Sequence, residues 1–226
     1  RYTLLNTTGE REGIKKPMSD VRRALQYIRH HANEFNIDKS KIILAGNSAG
    51  GGTSLWIAFN NELADAQSSD PVLRESTRVK GVVGREPQSS YNIEDRWVND
   101  VFVDYNLTWA EILANETGNI SKIYGVSSNA EYESAATDAY RAEVDMLSLL
   151  TADDPAIWID NTLREVVPPY SAPEIASHHA FHARELKQQA DAVGVENVVY
   201  YGKNPVIYSH PGNESWTQFC KRILGG

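Results

Sequence analysis

Ser48 is the residue of this chain best placed to act as a nucleophile. It stands at the centre of Gly46-Asn47-Ser48-Ala49-Gly50, where a strand should end and a helix begin. A free serine hydroxyl is a poor nucleophile and needs a neighbouring base to take its proton. His210 is the candidate base, lying in the polar turn Tyr208-Ser209-His210-Pro211-Gly212 after the last expected strand. A carboxylate must then orient the imidazole and stabilise its cation. Asp160, Glu165 and Glu174 all lie between the apolar run Ile157-Trp158-Ile159 and a helix starting near His178. The backbone N–H of Ala49, at the start of the helix after Ser48, is the expected donor to an oxyanion.

The remaining histidines read differently. His178, His179 and His182 form a cluster, and positions 178 and 182 would share a helix face, which is also the geometry of a two-histidine metal site. No glutamate sits inside that H-x-x-x-H and no third ligand is evident, so they read as helix-start histidines beside the acid loop. Neither a metal nor a cofactor is expected. His30 and His31 lie on an expected helix and are read as solvated.

The elements around Ser48 give the short motif its meaning. Lys41-Ile42-Ile43-Leu44-Ala45 is the mark of a buried parallel strand, and Gly51 to Phe59 reads as a mostly buried helix. Strand, G-x-S-x-G, helix is the nucleophile elbow, in which glycines let the backbone turn sharply and the helix pack close to the strand. Upstream, Val21, Ala24, Leu25, Ile28, Ala32 and Phe35 recur at helical spacing, with Ser19 or Asp20 as cap and Pro17 just ahead. Downstream, Val79 to Val83, Pro155 to Ile159 and Val195 to Tyr201 read as strands. Helices are expected from about His178 to Val193, ended by Gly194, and from Trp216 to Leu224. Residues 94–150 break the alternation and read as a helical insertion over one end of the sheet. Their aromatics, Trp97, Phe102, Tyr105 and Trp109, read as the packing face of that cap, able to line an acyl pocket. The whole is an α/β chain with a parallel sheet and crossover helices, in a single domain over 1–226.

Bulk properties narrow the partners. The 226 residues carry a net charge of −8, which argues against nucleic acid or an anionic membrane surface as a main partner. No apolar run approaches the ~20 residues of a membrane span. The one cysteine, Cys220, cannot form an internal disulfide. Asn6, Asn106, Asn115, Asn119 and Asn213 each begin an N-x-[ST] sequon, which acts only in a glycosylating host, so the compartment stays open.

From Asp20 to the C-terminus the chain resembles the α/β-hydrolase superfamily, and within it the carboxylesterase/lipase-like enzymes. The resemblance rests on Asn36-Ile37-Asp38 before the elbow strand, on Gly46 to Gly51, on Asp153-Asp154-Pro155 before the next-to-last strand, and on His210 before the last helix. The order nucleophile, acid, histidine is that of the superfamily. It implies a three-layer sandwich and cleavage of a small-molecule carboxylic ester through an acyl-enzyme. Family spacing counted back from Leu186 and Gly194 favours Glu174 as the acid, and counted forward from Asp153-Asp154-Pro155 it lands on Glu165. Tyr2-Thr3-Leu4-Leu5 resembles the end of the strand before the first helix. The resemblance then implies that the sheet begins at its middle strands, with the His-Gly-Gly-Gly oxyanion loop absent and an open edge beside Ile42 to Ala45 through which the chain could self-associate. A non-catalytic binding protein of the same fold, or an inactive fragment, is the alternative reading, and a peptidase a lesser one.

Overall fold

Short apolar, β-branched runs separated by helical stretches can bury both faces of a sheet at once. In the computed structural model, which describes residues 2–5, 11–162, 164–171 and 174–226 (without the side chains at 117 and 174), those runs form four strands. They are β1 (Ile43–Asn47), β2 (Gly81–Arg85), β3 (Ala156–Asn161) and β4 (Asn197–Tyr201). All pair in parallel, in the order β1-β2-β3-β4. One row of the register runs Ala45, Val83, Trp158, Val198, and the next runs Gly46, Gly84, Ile159, Val199.

The helices are α1 (Lys15–His30), α2 (Ala49–Phe59), α3 (Trp109–Tyr124), α4 (Asn129–Tyr132), α5 (Ala135–Glu143), α6 (Met146–Leu149), α7 (Glu174–Ser177), α8 (Phe181–Val193) and α9 (Trp216–Ile223). Alternate strand residues divide between two layers of helices. Val82, Ile157, Ile159 and Val199 enter the larger core with Leu55, Ile57 and Leu186 of α2 and α8. Val83, Trp158 and Val198 face the other way and pack on Phe219 of α9. This is an α/β sandwich with the sheet as its middle layer.

Each of the first three strands ends two residues later than its apolar run. Backbone groups make the ladder, so pairing continues through Asn47, Arg85 and Asp160–Asn161, and these polar ends gather at the carboxyl edge of the sheet. Helix α1 starts at Lys15 rather than Asp20. Pro17 falls in its first turn, where a missing N–H costs nothing, and Asp20 instead accepts a hydrogen bond from Thr3 N at 2.7 Å. Tyr2–Leu5 forms no strand. Among the described residues β1 is an edge of the sheet, paired only with β2.

Residues 93–149 contain helices and no strand, including a π-helical segment, Ile93–Val101, and a 3₁₀ turn, Val103–Tyr105. Polar ties fasten this layer to the core. Trp56 Nε1 of α2 donates to Glu143 O at 2.9 Å, while Arg96 Nε reaches Asp145 at 2.8 Å within the layer itself. The Arg184 guanidinium of α8 donates to the carbonyls of Asp100 and Val101.

Candidate active site

Ser48 occupies the junction of β1 and α2 with φ 53° and ψ −123°. A non-glycine residue held there costs on the order of 1–3 kcal/mol, so the surroundings must enforce it. Two of them do. Ser48 N donates to Arg85 O at 2.8 Å, tying the elbow to the end of β2. A Cβ on Gly46 would stand 2.2 Å from the Gly50 carbonyl carbon, so only glycine lets the strand pass this close to the helix. Ala49 N–H lies in the first turn of α2, where no intrahelical acceptor exists and the helix dipole is positive.

The structure brings His178, not His210, to this serine. Ser48 Oγ and His178 Nε2 are 2.6 Å apart. His178 was expected on a helix, one face with His182. Instead it sits in the turn between α7 and α8, and its Nδ1 lies 3.2 Å from Ser177 Oγ. His210 belongs elsewhere for a topological reason. It follows β4, the strand at the opposite edge from β1, and the antiparallel bridge between Tyr201 and Tyr208 folds the segment back on that strand. Its ring packs edge-on against Tyr200, on the α9 side of the sheet, and its Nδ1 accepts from Gly212 N at 3.2 Å.

The candidate carboxylates separate as clearly. Asp160, at the end of β3, accepts from Thr162 N at 3.0 Å and from the Thr162 hydroxyl at 2.5 Å. Glu165 is exposed. Glu174 opens α7, four residues before His178, and its side chain lies outside the described residues.

The other two clustered histidines are buried and hold the turn that carries His178. His179 Nε2–H donates to Val167 O at 2.8 Å, its Nδ1 accepts from Phe181 N, and its own carbonyl accepts from Asn161 Nδ2 at 2.8 Å. His182 Nε2–H donates to Ala176 O at 2.9 Å, while its Nδ1 accepts from Ser89. Burial pushes His179 down to about 4 and His182 down to about 3, so both are neutral, as these bonds require. Gln88 completes the clamp: its Nε2 donates to Ser177 O at 2.7 Å. No group of three or more metal-ligating side chains occurs among the described residues.

A cavity of roughly 200 Å³ opens beside Ser48 and His178, with Leu5, Tyr91, Trp97 and Ile123 among its walls. Trp97 packs edge-on against Phe102 and His182, so this expected cap aromatic both supports the histidine clamp and faces the cavity. Glu116 and Asn119 of α3 line the same space.

Comparison with known proteins agrees with this architecture. The BD-FAE family model, an α/β-hydrolase-type esterase domain, matches residues 10–96, a span that includes the elbow. Among solved structures, the chain is similar to an acetyl ester-xyloside bifunctional hydrolase from Caldicellulosiruptor lactoaceticus, with TM-score 0.60 and 16% identity over 93% of this chain. It is also similar to a truncated carbohydrate esterase from gut microbiota (TM-score 0.56, 20% identity, 93% of this chain). A lipase/esterase from Lactobacillus plantarum gives TM-score 0.54 at 17% identity, over 100% of this chain and 70% of that one. The chain covers 65% and 66% of the first two, just under two thirds of their length. No curated protein matches it. At these identities the likeness is one of fold, and the fold is that of the α/β-hydrolases.

Proposed function

We propose that this chain is the catalytic part of a serine hydrolase that cleaves carboxylic esters through an acyl-enzyme. The observation that carries the reading is the 2.6 Å approach of Ser48 Oγ to His178 Nε2, at an elbow whose serine is held at positive φ. The esterase family match over the elbow supports it.

In this reading Ser48 Oγ attacks the ester carbonyl carbon while His178 Nε2 takes its proton. The carbonyl oxygen gathers negative charge against Ala49 N–H, a donor of the kind whose loss costs about 100- to 1,000-fold in rate. Collapse of the tetrahedral species breaks the bond to the alkoxy oxygen, which leaves as the alcohol with the proton from Nε2. Water then attacks the acyl carbon, Nε2 takes its proton and returns it to Ser48 Oγ, and the carboxylic acid departs. The reading assigns the orienting carboxylate to Glu174, on its spacing four residues ahead of His178, because Asp160 is engaged with Thr162 and Glu165 is exposed.

Labelling with a fluorophosphonate tests the proposal. The expected adduct is on Ser48, absent from Ser48→Ala and from protein labelled after heat denaturation. A label that persists in Ser48→Ala overturns it.

A further inference from the structure

The wall of the cavity opposite the elbow has a polar stripe that ester cleavage itself does not use. Glu116, Asn119, Lys122 and Ile123 all line the cavity, at spacings of three and four residues that place them on one face of α3. Glu116 is only 3% exposed, and its two oxygens are treated unequally. Oε2 accepts from Asn119 Nδ2 at 2.7 Å, while Oε1 is buried with no hydrogen-bond partner. The Tyr170 hydroxyl is likewise buried with no partner. Polar atoms buried in this way carry a desolvation cost that a bound donor would remove. Burial also pushes the Glu116 carboxyl up from its ordinary range, the state of an acceptor kept out of water.

We propose that Glu116 is a specificity-determining residue of the Ser48 site, its free oxygen accepting a hydrogen bond from a hydroxyl group on the ester substrate. The proposal rests on the serine-hydrolase reading. A hydroxyl suits the stripe better than a cation. It donates to Glu116 Oε1 and can accept from the Lys122 ammonium or the Asn119 amide on the same face, whereas a cationic substrate would meet Lys122 as a like charge. Leu5, Tyr91, Trp97 and Ile123 make much of the remaining wall apolar, so a substrate hydroxyl finds few polar partners besides the α3 stripe.

The test compares two ester pairs that differ only in hydroxyl groups: propyl acetate with glycerol monoacetate, and p-nitrophenyl butyrate with p-nitrophenyl 3-hydroxybutyrate. The wild-type chain should favour the hydroxylated member of at least one pair in kcat/KM. In Glu116→Leu that preference should fall by about 10- to 100-fold, the hydroxylated ester losing more than the plain one. Glu116→Gln keeps an acceptor oxygen and should retain part of the preference. A preference unchanged in Glu116→Leu, an equal loss on both members of a pair, or no preference in the wild-type chain would overturn the proposal. Fluorophosphonate labelling of Ser48, with a reagent that carries no hydroxyl, reads the nucleophile separately. Should labelling and ester cleavage both be absent in the wild-type chain, the serine reading fails. Glu116 is then judged by saturation-transfer NMR of glycerol monoacetate, where binding equal in wild type and Glu116→Leu would overturn its role.

Discussion

The elbow and the histidine turn meet at 2.6 Å, yet they are built in opposite ways. Ser48 is held chiefly by its near neighbours: a strand that ends, a helix that starts, and a glycine two residues back that permits the close pass, with one backbone bond to Arg85 of β2. His178 is held by side chains from three different elements, of which Gln88 and Asn161 are distant in sequence. Gln88 follows β2, Asn161 ends β3, and His182 lies in α8, and each bonds a backbone group within one or two residues of His178. A local constraint leaves a contiguous signature in sequence. A distributed one leaves single polar residues scattered over about a hundred positions, each unremarkable alone.

The largest effects should come from the two reacting groups themselves. Ser48→Ala and His178→Ala should each lower ester turnover by about 10,000-fold or more, and the double variant should be no worse than either single one, since the pair acts as a unit. His210→Ala should leave turnover unchanged. Steady-state kinetics on p-nitrophenyl acetate decides it, and a crippled His210→Ala beside an active His178→Ala would reverse the assignment.

Next in size is the acid sensitivity of the histidine turn. His179 and His182 are neutral in the fold at about 4 and about 3, whereas in the unfolded chain they return to about 6.5. As the pH falls below 6.5 the unfolded chain takes up protons that the folded one refuses, so stability is full above 6.5 and is lost towards pH 4. By pH 4.5 the loss should be on the order of 2 kcal/mol for each histidine. Urea unfolding between pH 7.5 and 4.5 measures it. His182→Gln should flatten the slope even if it lowers the absolute stability, and an unaltered slope would show that the acid response lies elsewhere.

The elbow offers a smaller, purely steric test. Gly46→Ala would place a methyl group 2.2 Å from the Gly50 carbonyl carbon and 2.3 Å from its oxygen. Backbone on both sides cannot yield as a side chain would, so destabilisation of at least the ~1–3 kcal/mol of an overpacked core is expected. Denaturant midpoints measure this, and Gly50→Ala, whose added Cβ would meet nothing within 4 Å, serves as the control. The G-x-S-x-G pattern treats the two glycines alike. Only the first is sterically required.

What was legible in the sequence follows from the same distinction. The parallel strands, the elbow and helices α2, α8 and α9 announce themselves through apolar runs and terminal glycine, because burial on both sides of a sheet demands contiguous apolar residues. The structure puts His178 rather than the expected His210 beside Ser48; the expectation used chain order, which does not record that β4 lies at the far edge from β1. One signal did point to His178: three histidines in five positions beside the acid loop, too many for a surface helix. Helix α3 was hidden as well. Its second half is polar and carries Gly118, a poor helix former, and what holds it is the burial of Ile112, Ile120 and Tyr124 against the core. With α3 unseen, Glu116 could not be placed in the cavity.

The finest distinction concerns how the elbow and the turn communicate. A Cβ on Gly52 would stand 2.4 Å from the Tyr91 hydroxyl, so this glycine in α2 makes room for that oxygen. The Tyr91 hydroxyl donates to Gln88 Oε1 at 3.2 Å, and Gln88 Nε2 donates to Ser177 O, one residue from His178. The glycine-rich start of the helix thus serves the histidine turn as well as the serine. Tyr91→Phe removes only the hydroxyl and keeps the ring, so Gln88 loses the bond that fixes its amide while the cavity keeps its shape. The expected result is a fall in kcat of about 3- to 10-fold with KM held, because a turn that drifts by a fraction of an ångström spoils proton transfer more than binding. Gln88→Met, which breaks the chain of bonds one step nearer to His178, should cost more, and adding Tyr91→Phe to it should cost nothing further. Additive losses in the double variant would mean that Tyr91 acts on the site by another route, and the elbow and the turn would then be independent constructions that merely meet at Ser48.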